Sequence, residues 1–194
     1  MPPLIIAATL IALCGAALYI RSMFKGTTKP NRVSWLMWAI APLIASAAAL
    51  SDGITWAVLP VFMSGFVPLI VLTFSFLIPG AYWKLTKFDY LCGISSALAL
   101  VLWAVTKDPN IAIIFAILSD GFAAVPTIMK SLTNPESENG IPFIIGLIGA
   151  SSSFIVLNSW TFSGYAFPAY LEVVNVILIF SIYRRKLGFG RKAA

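Results

Sequence analysis

The 194-residue chain contains no histidine, only two cysteines and only seven acidic residues. Charged residues make up 10 % of it, where a soluble domain carries roughly a quarter. Each shortage excludes something. Without histidine, the usual proton shuttle and the commonest metal ligand are missing. Cys14 and Cys92 both fall in apolar runs and read as small buried hydrophobes, which argues against a disulfide scaffold or a metal pair. So few ionic groups cannot cover a water-facing surface of this size, so part of the solvent is expected to be lipid. Disordered tails and nucleic-acid binders are disfavoured too, because the net charge of +6 is not gathered into an exposed basic groove.

What is abundant is apolar sequence, 60 % of the residues. A membrane-spanning helix needs roughly 20 such residues in a row. Seven stretches approach that length: 3–23, 33–50, 56–78, 88–105, 111–129, 141–157 and 165–183. Turn chemistry separates them, as at Lys29-Pro30-Asn31, Ser51-Asp52-Gly53, Pro79-Gly80, Asp108-Pro109-Asn110 and Asn134-Pro135. The runs do not alternate, which disfavours a membrane β-barrel. The expectation is an all-α, polytopic membrane protein, residues 1–194 forming one transmembrane domain. The first segment reads as a true helix rather than a cleaved signal, since no basic residue precedes Arg21 and the bulky Leu13 before Cys14 spoils a lipoprotein box.

Seven spans place twelve of the thirteen Lys and Arg on one side, Lys107 being the exception. By the positive-inside rule the amino terminus is outside, the carboxyl terminus is cytoplasmic, and the chain sits in the cell membrane, in the bacterial case the inner membrane. Trp35 and Trp38, close to a basic loop, read as interfacial anchors.

The two halves resemble each other. Lys25 to Pro30 lies over Lys130 to Pro135; with a shift of 108 residues Trp35 meets Phe143 and Pro60 meets Pro168. Segment 3–78 therefore forms one three-helix repeat and 111–183 a second, with 88–105 as a linker helix. An odd unit needs one extra crossing for both copies to run the same way, and parallel repeats are an established transporter plan.

That 3+1+3 order, with its outside start and inside end, resembles the SWEET sugar facilitators and the PQ-loop proteins, to which the PnuC vitamin transporters and the KDEL receptor are related in fold. PQ-loop families carry a Pro-Gln pair late in the first helix of each repeat; here the fifth span has Pro126-Thr127 and the first has Arg21-Ser22. Trp35-x-x-Trp38 is similar to tryptophan motifs of PnuC proteins. The run Asp120…Pro126-Thr127…Lys130…Pro135-x-x-Glu138 also resembles small bacterial membrane proteins of no assigned role. The resemblance implies a facilitator-type, alternating-access carrier for a small polar solute such as a sugar, nucleoside or vitamin. The alternative is a receptor or partner-binding subunit on the same fold.

Two acids lie deep in spans, Asp120 in the fifth and Glu172 in the seventh, where a charge facing lipid costs about 2.5–3.5 kcal/mol. Both are expected to face the bundle. Tyr165, Pro168, Glu172, Asn175 and Ile179 recur at spacings of three or four, as do Ala116, Asp120, Ala123, Thr127 and Lys130. Either these stripes line a substrate cavity, with Asp120, Glu172, Asn175, Tyr165 and Thr127 binding solute and Gly149–Ser153 as a third wall, or Asp120 and Asn175 simply bind two helices together. Pro126, Pro168 and Pro60 are candidate hinges, with Pro42 and Pro68 further interruptions. Lys130, Glu136 and Glu138 read either as a solvated loop, the preferred reading, or as an ion-pair latch on an inner gate. Asp89 with Lys87 marks the edge of the fourth span. Catalytic motifs, a phosphate loop and a retinal-binding lysine in the last span are all missing, so no enzyme, photoreceptor, metal or cofactor is expected. The expected partners are the lipid bilayer and a small solute, and a homo-oligomer is compatible with the plan.

Overall fold

A computed structural model describes residues 2–51, 59–155 and 160–188. The Asp52-Gly53 turn, the start of the third segment at 56, the end of the sixth at 157, and Arg191 and Lys192 lie outside the described residues. The chain forms α1 (Pro2–Phe24), α2 (Arg32–Ser51), α3 (Leu59–Leu77), α4 (Lys87–Val105), α5 (Pro109–Thr133), α6 (Ile141–Ile155) and α7 (Phe162–Tyr183), with a 3-10 turn at Pro135–Ser137. Among the described residues there is no strand.

Local chemistry sets the ends. Thr86 and Asp89 form a reciprocal capping box at the start of α4. Asp108 accepts from the Asn110 and Ile111 amides ahead of α5, and Pro109 occupies its first turn. Asn31 accepts from the Val33 and Ser34 amides, and Asn139 accepts from the Ile141 amide. Gly26 (φ 71°) and Gly80 (φ 76°) terminate α1 and α3 in the left-handed conformation that side chains resist. Thr86→Ala removes one half of the α4 box, and is expected to lower stability by about 1 kcal/mol, read as a fall in Tm of the purified protein.

Five helices, α1, α3, α4, α5 and α7, are long and apolar enough to cross a membrane. Within each of those five, only 17–33 % of an 18-residue window is buried. Much of the remainder is exposed and apolar, as Leu10, Ile94, Leu98, Val105 and Val173 illustrate. Exposed apolar faces of this extent are those of a helical membrane protein. The apolar stretches of α2 and α6 are shorter: 32–47 and Ile141–Ile155.

α3 packs against both α1 and α2, and α7 packs against both α5 and α6. Across these groups α1 meets α6 and α2 meets α5, while α4 lies on α5 and α2. The α4–α5 seam holds a reciprocal pair: the Ser96 hydroxyl donates to the Ser119 carbonyl (2.6 Å), and the Ser119 hydroxyl to the Ser96 carbonyl (2.9 Å). Three buried clusters form the core: Tyr19, Trp35 and Val71 in the first group, Phe143, Val174 and Leu178 in the second, and Met37, Leu100 and Ala123 between α2, α4 and α5. Trp38 packs on all three.

Two expectations from sequence are corrected. Trp35 is no interfacial anchor; it is 2 % exposed, its ring 4.9 Å from that of Tyr19, because the α2 N-terminus is packed between neighbours rather than displayed. Cys92 is buried as expected, but Cys14 is exposed on the outer face of α1, where an apolar thiol suits lipid as well as a core.

Candidate functional site

The basic loops converge at one end of the bundle. The Lys29 amide donates to the Ser137 carbonyl (2.9 Å) and the Trp83 amide to the Pro30 carbonyl (3.0 Å). Arg184 donates to the Ser131 and Leu132 carbonyls. This is the basic end.

There a charged network is sealed inside the protein. The Lys130 ammonium pairs with Glu138 Oε2 at 2.5 Å, and both side chains are fully buried. Lys130 also donates to the Lys29 carbonyl (2.6 Å), so α5 grips the α1–α2 loop. Glu138 Oε1 accepts from the Tyr19 hydroxyl (2.5 Å) and the Asn139 amide (3.0 Å). Ammonium and carboxylate each make further hydrogen bonds, which is what a buried ion pair needs to offset lost hydration. Around it, Asn31 donates to Asp89 (2.8 Å), Asn139 to Ser22 (3.2 Å), and Thr127 to Ser34 (2.9 Å). The preferred solvated-loop reading therefore fails for Lys130 and Glu138, whose partners arrive from distant segments. It suits Glu136, which pairs with Arg185 (3.3 Å) in an exposed position.

Behind this seal lies a cavity of about 400 Å³. Among the described residues α1, α2, α3, α5, α6 and α7 all line it. Its lining is buried toward the basic end, at Trp35, Phe143 and Leu178, and exposed toward the far end, at Ala8, Pro60 and Ser64. Its floor is aromatic: the Trp35 and Trp38 rings meet edge-on at 5.6 Å, and Trp38 meets Phe143 at 6.0 Å. Asp120 is the only titratable lining residue among those described, and its Oδ2 accepts from the Tyr170 hydroxyl at 2.8 Å. Asn175 lines the cavity with its amide turned to the Leu171 carbonyl (2.8 Å). It fits because Gly146 has no side chain: a Cβ there would stand 2.9 Å from Asn175 Oδ1.

Of the five expected solute-binding residues, Asp120 and Asn175 line the cavity and three stand elsewhere. Glu172 accepts from the Ser151 hydroxyl of α6 (2.7 Å). Tyr165 is exposed beside Trp160 and Phe162. Thr127 is fully buried in the seal. The wall supplied by α6 is Pro142, Phe143, Ile145 and Gly146, not Gly149–Ser153. Of the hinge candidates, Pro126 and Pro168 lie inside α5 and α7, and Pro60 is the second residue of the described α3. The sequence gives Tyr19 and Asn31 no role, reads Asp89 only as the edge of the fourth span, and reads the tryptophans of the floor as anchors. The one available signal was the three-residue spacing of Trp35 and Trp38, which puts both rings on one face of a helix. No family model, curated protein or solved structure matches this chain.

Proposed function

We propose that this protein is a facilitator-type carrier of a small polar solute, working by alternating access on a parallel 3+1+3 plan similar to that of the SWEET and PQ-loop proteins. The observation that carries the reading is a central cavity lined by six helices, with a buried ion pair closing the basic end of the bundle. A carrier needs such a site, with access that passes from one side to the other.

The repeat is supported by the neighbour relations: exchanging α1, α2 and α3 for α5, α6 and α7 reproduces the packing pairs, including α1 with α6 and α5 with α2. Asn31 and Asn139, both capping the helix that follows, stand 108 residues apart, as do Trp35 and Phe143. With the basic end cytoplasmic, the cavity faces outward, and Lys130, Glu138 and Tyr19 form the closed inner gate, with Glu136 on its exposed rim. The aromatic floor favours a solute with a flat ring, such as a nucleoside or a vitamin, over a sugar.

A solute is first found by a thermal-shift screen, since a ligand of the folded state alone raises its apparent stability. Labelled solute then shows counterflow in liposomes holding the full chain. Asp120→Asn is expected to slow counterflow roughly tenfold or more, as loss of a charge-assisted contact does. Glu172→Gln, whose carboxylate faces α6, keeps a near wild-type rate. Unchanged transport in folded Asp120→Asn protein removes Asp120 from the site. Saturable binding without counterflow makes the protein a receptor instead.

A further inference from the structure

We propose that the cavity takes a small organic cation with a flat apolar body, its charge placed against Asp120 and its body against Trp38 and Phe143. The inference rests on the cavity of the proposed carrier being its ligand site, and names the class of ligand.

Three observations carry it. The first is charge. Asp120 is the only titratable lining residue among those described, and no Lys or Arg lines the cavity beside it. Lys130, on the same helix, is committed to Glu138 and to the Lys29 carbonyl. Among the described residues the Asp120 carboxylate receives one hydrogen bond, from the Tyr170 hydroxyl. An ionised carboxylate in a largely apolar cavity is costly without a countercharge, and here the countercharge is left for the ligand to bring.

The second is the aromatic content. Trp35, Trp38, Phe143 and Phe167 all line the cavity, and Trp and Phe faces attract organic cations. The third is the shortage of other polar groups. Besides Asp120, the polar side chains lining it are Thr9, Ser64 and Asn175 and the two indoles. Asn175 already gives one amide N–H to the Leu171 carbonyl. A polyol would leave most of its hydroxyls unsatisfied here, whereas a flat cation needs one carboxylate and apolar surface.

The test uses the full chain in lipid nanodiscs and three probes of like size and different charge: 2-phenylethylammonium, 2-phenylethanol and phenylacetate. Equilibrium binding at pH 7.5 is expected to favour the ammonium over the alcohol about tenfold, with the carboxylate weakest. Asp120→Asn is expected to bring ammonium and alcohol within about twofold of each other. Trp38→Leu, an independent variant should the first misfold, is expected to narrow the same preference by weakening the cation's contact with the ring. The proposal is overturned if the alcohol or the carboxylate binds as well as the ammonium to the wild type, or if the preference survives in folded Asp120→Asn protein. Failure of the carrier reading looks different: ammonium preference with no counterflow leaves the cation site standing in a receptor, while counterflow of a neutral solute with no ammonium preference leaves a carrier without it.

Discussion

Lys130→Met is expected to destabilise the protein by about 3–5 kcal/mol, the range for breaking a buried ion pair from one side. The substitution leaves the Glu138 carboxyl group fully enclosed and short of its cation. The damage spreads, because Lys130 also holds the Lys29 carbonyl and Glu138 holds the Tyr19 hydroxyl. Thermal unfolding of purified protein, followed by tryptophan fluorescence, reads the loss. The control is the triple variant Lys130→Met/Glu138→Met/Tyr19→Phe, which replaces the three side chains of the set by apolar groups of similar size. It is expected to recover most of the stability, since uncharged packing often equals a buried pair. A loss below about 1 kcal/mol in Lys130→Met would mean that the pair behaves as one in water.

Gly65→Ala is the second large effect. Gly65 lies where α3 presses on α2, and an added Cβ would stand 2.8 Å from the Ala39 carbonyl oxygen and 3.0 Å from the Leu43 amide nitrogen. These are backbone atoms and cannot rotate away, so the two helices must separate. Overpacking of this kind costs about 1–3 kcal/mol. It outweighs the gain in helix propensity of Ala over Gly, up to about 1 kcal/mol. Gly149 supplies the contrast, as a Cβ there meets nothing within 4 Å. Gly149→Ala is therefore expected to be neutral or slightly stabilising in the same unfolding experiment, and equal losses at both positions would dismiss the close-approach explanation.

How far the sequence could be read followed from the range of the forces involved. The apolar runs were legible because burial in lipid acts on each helix separately, and the predicted segments agree with the helices to within a few residues at most ends. The basic loops were legible for the same reason, and they do meet at one end. Asp120 could be placed against the bundle because a charge in mid-span has few other options. Rotation of a helix about its axis was harder. On α7 the cavity is lined by Phe167, Leu171, Val174 and Leu178, with Asn175 at its edge. Glu172 follows Leu171 by one residue, a turn of about 100°, which carries its carboxylate round to Ser151 of α6. A stripe drawn through the polar residues alone missed that angle. The seal was the least legible part. Lys130 and Glu138 look like any charged loop in one dimension, and their burial depends on Tyr19, which lies more than a hundred positions earlier in the chain.

That separation bears on how the molecule is made. Tyr19 enters the membrane with the first helix, while the carboxylate it serves follows four helices later. Until the turn after α5 emerges, Tyr19 packs on Trp35 and Val71 but its hydroxyl lacks the Glu138 carboxylate, and the loop after α1 lacks the ammonium that fixes its carbonyl. Assembly of the basic end is thus a late event in biogenesis, dominated by contacts of long sequence separation, which close slowly. The polar contacts that join one half of the chain to the other, Lys130 to the Lys29 carbonyl and Tyr19 to Glu138, cannot form before the second half has begun to emerge.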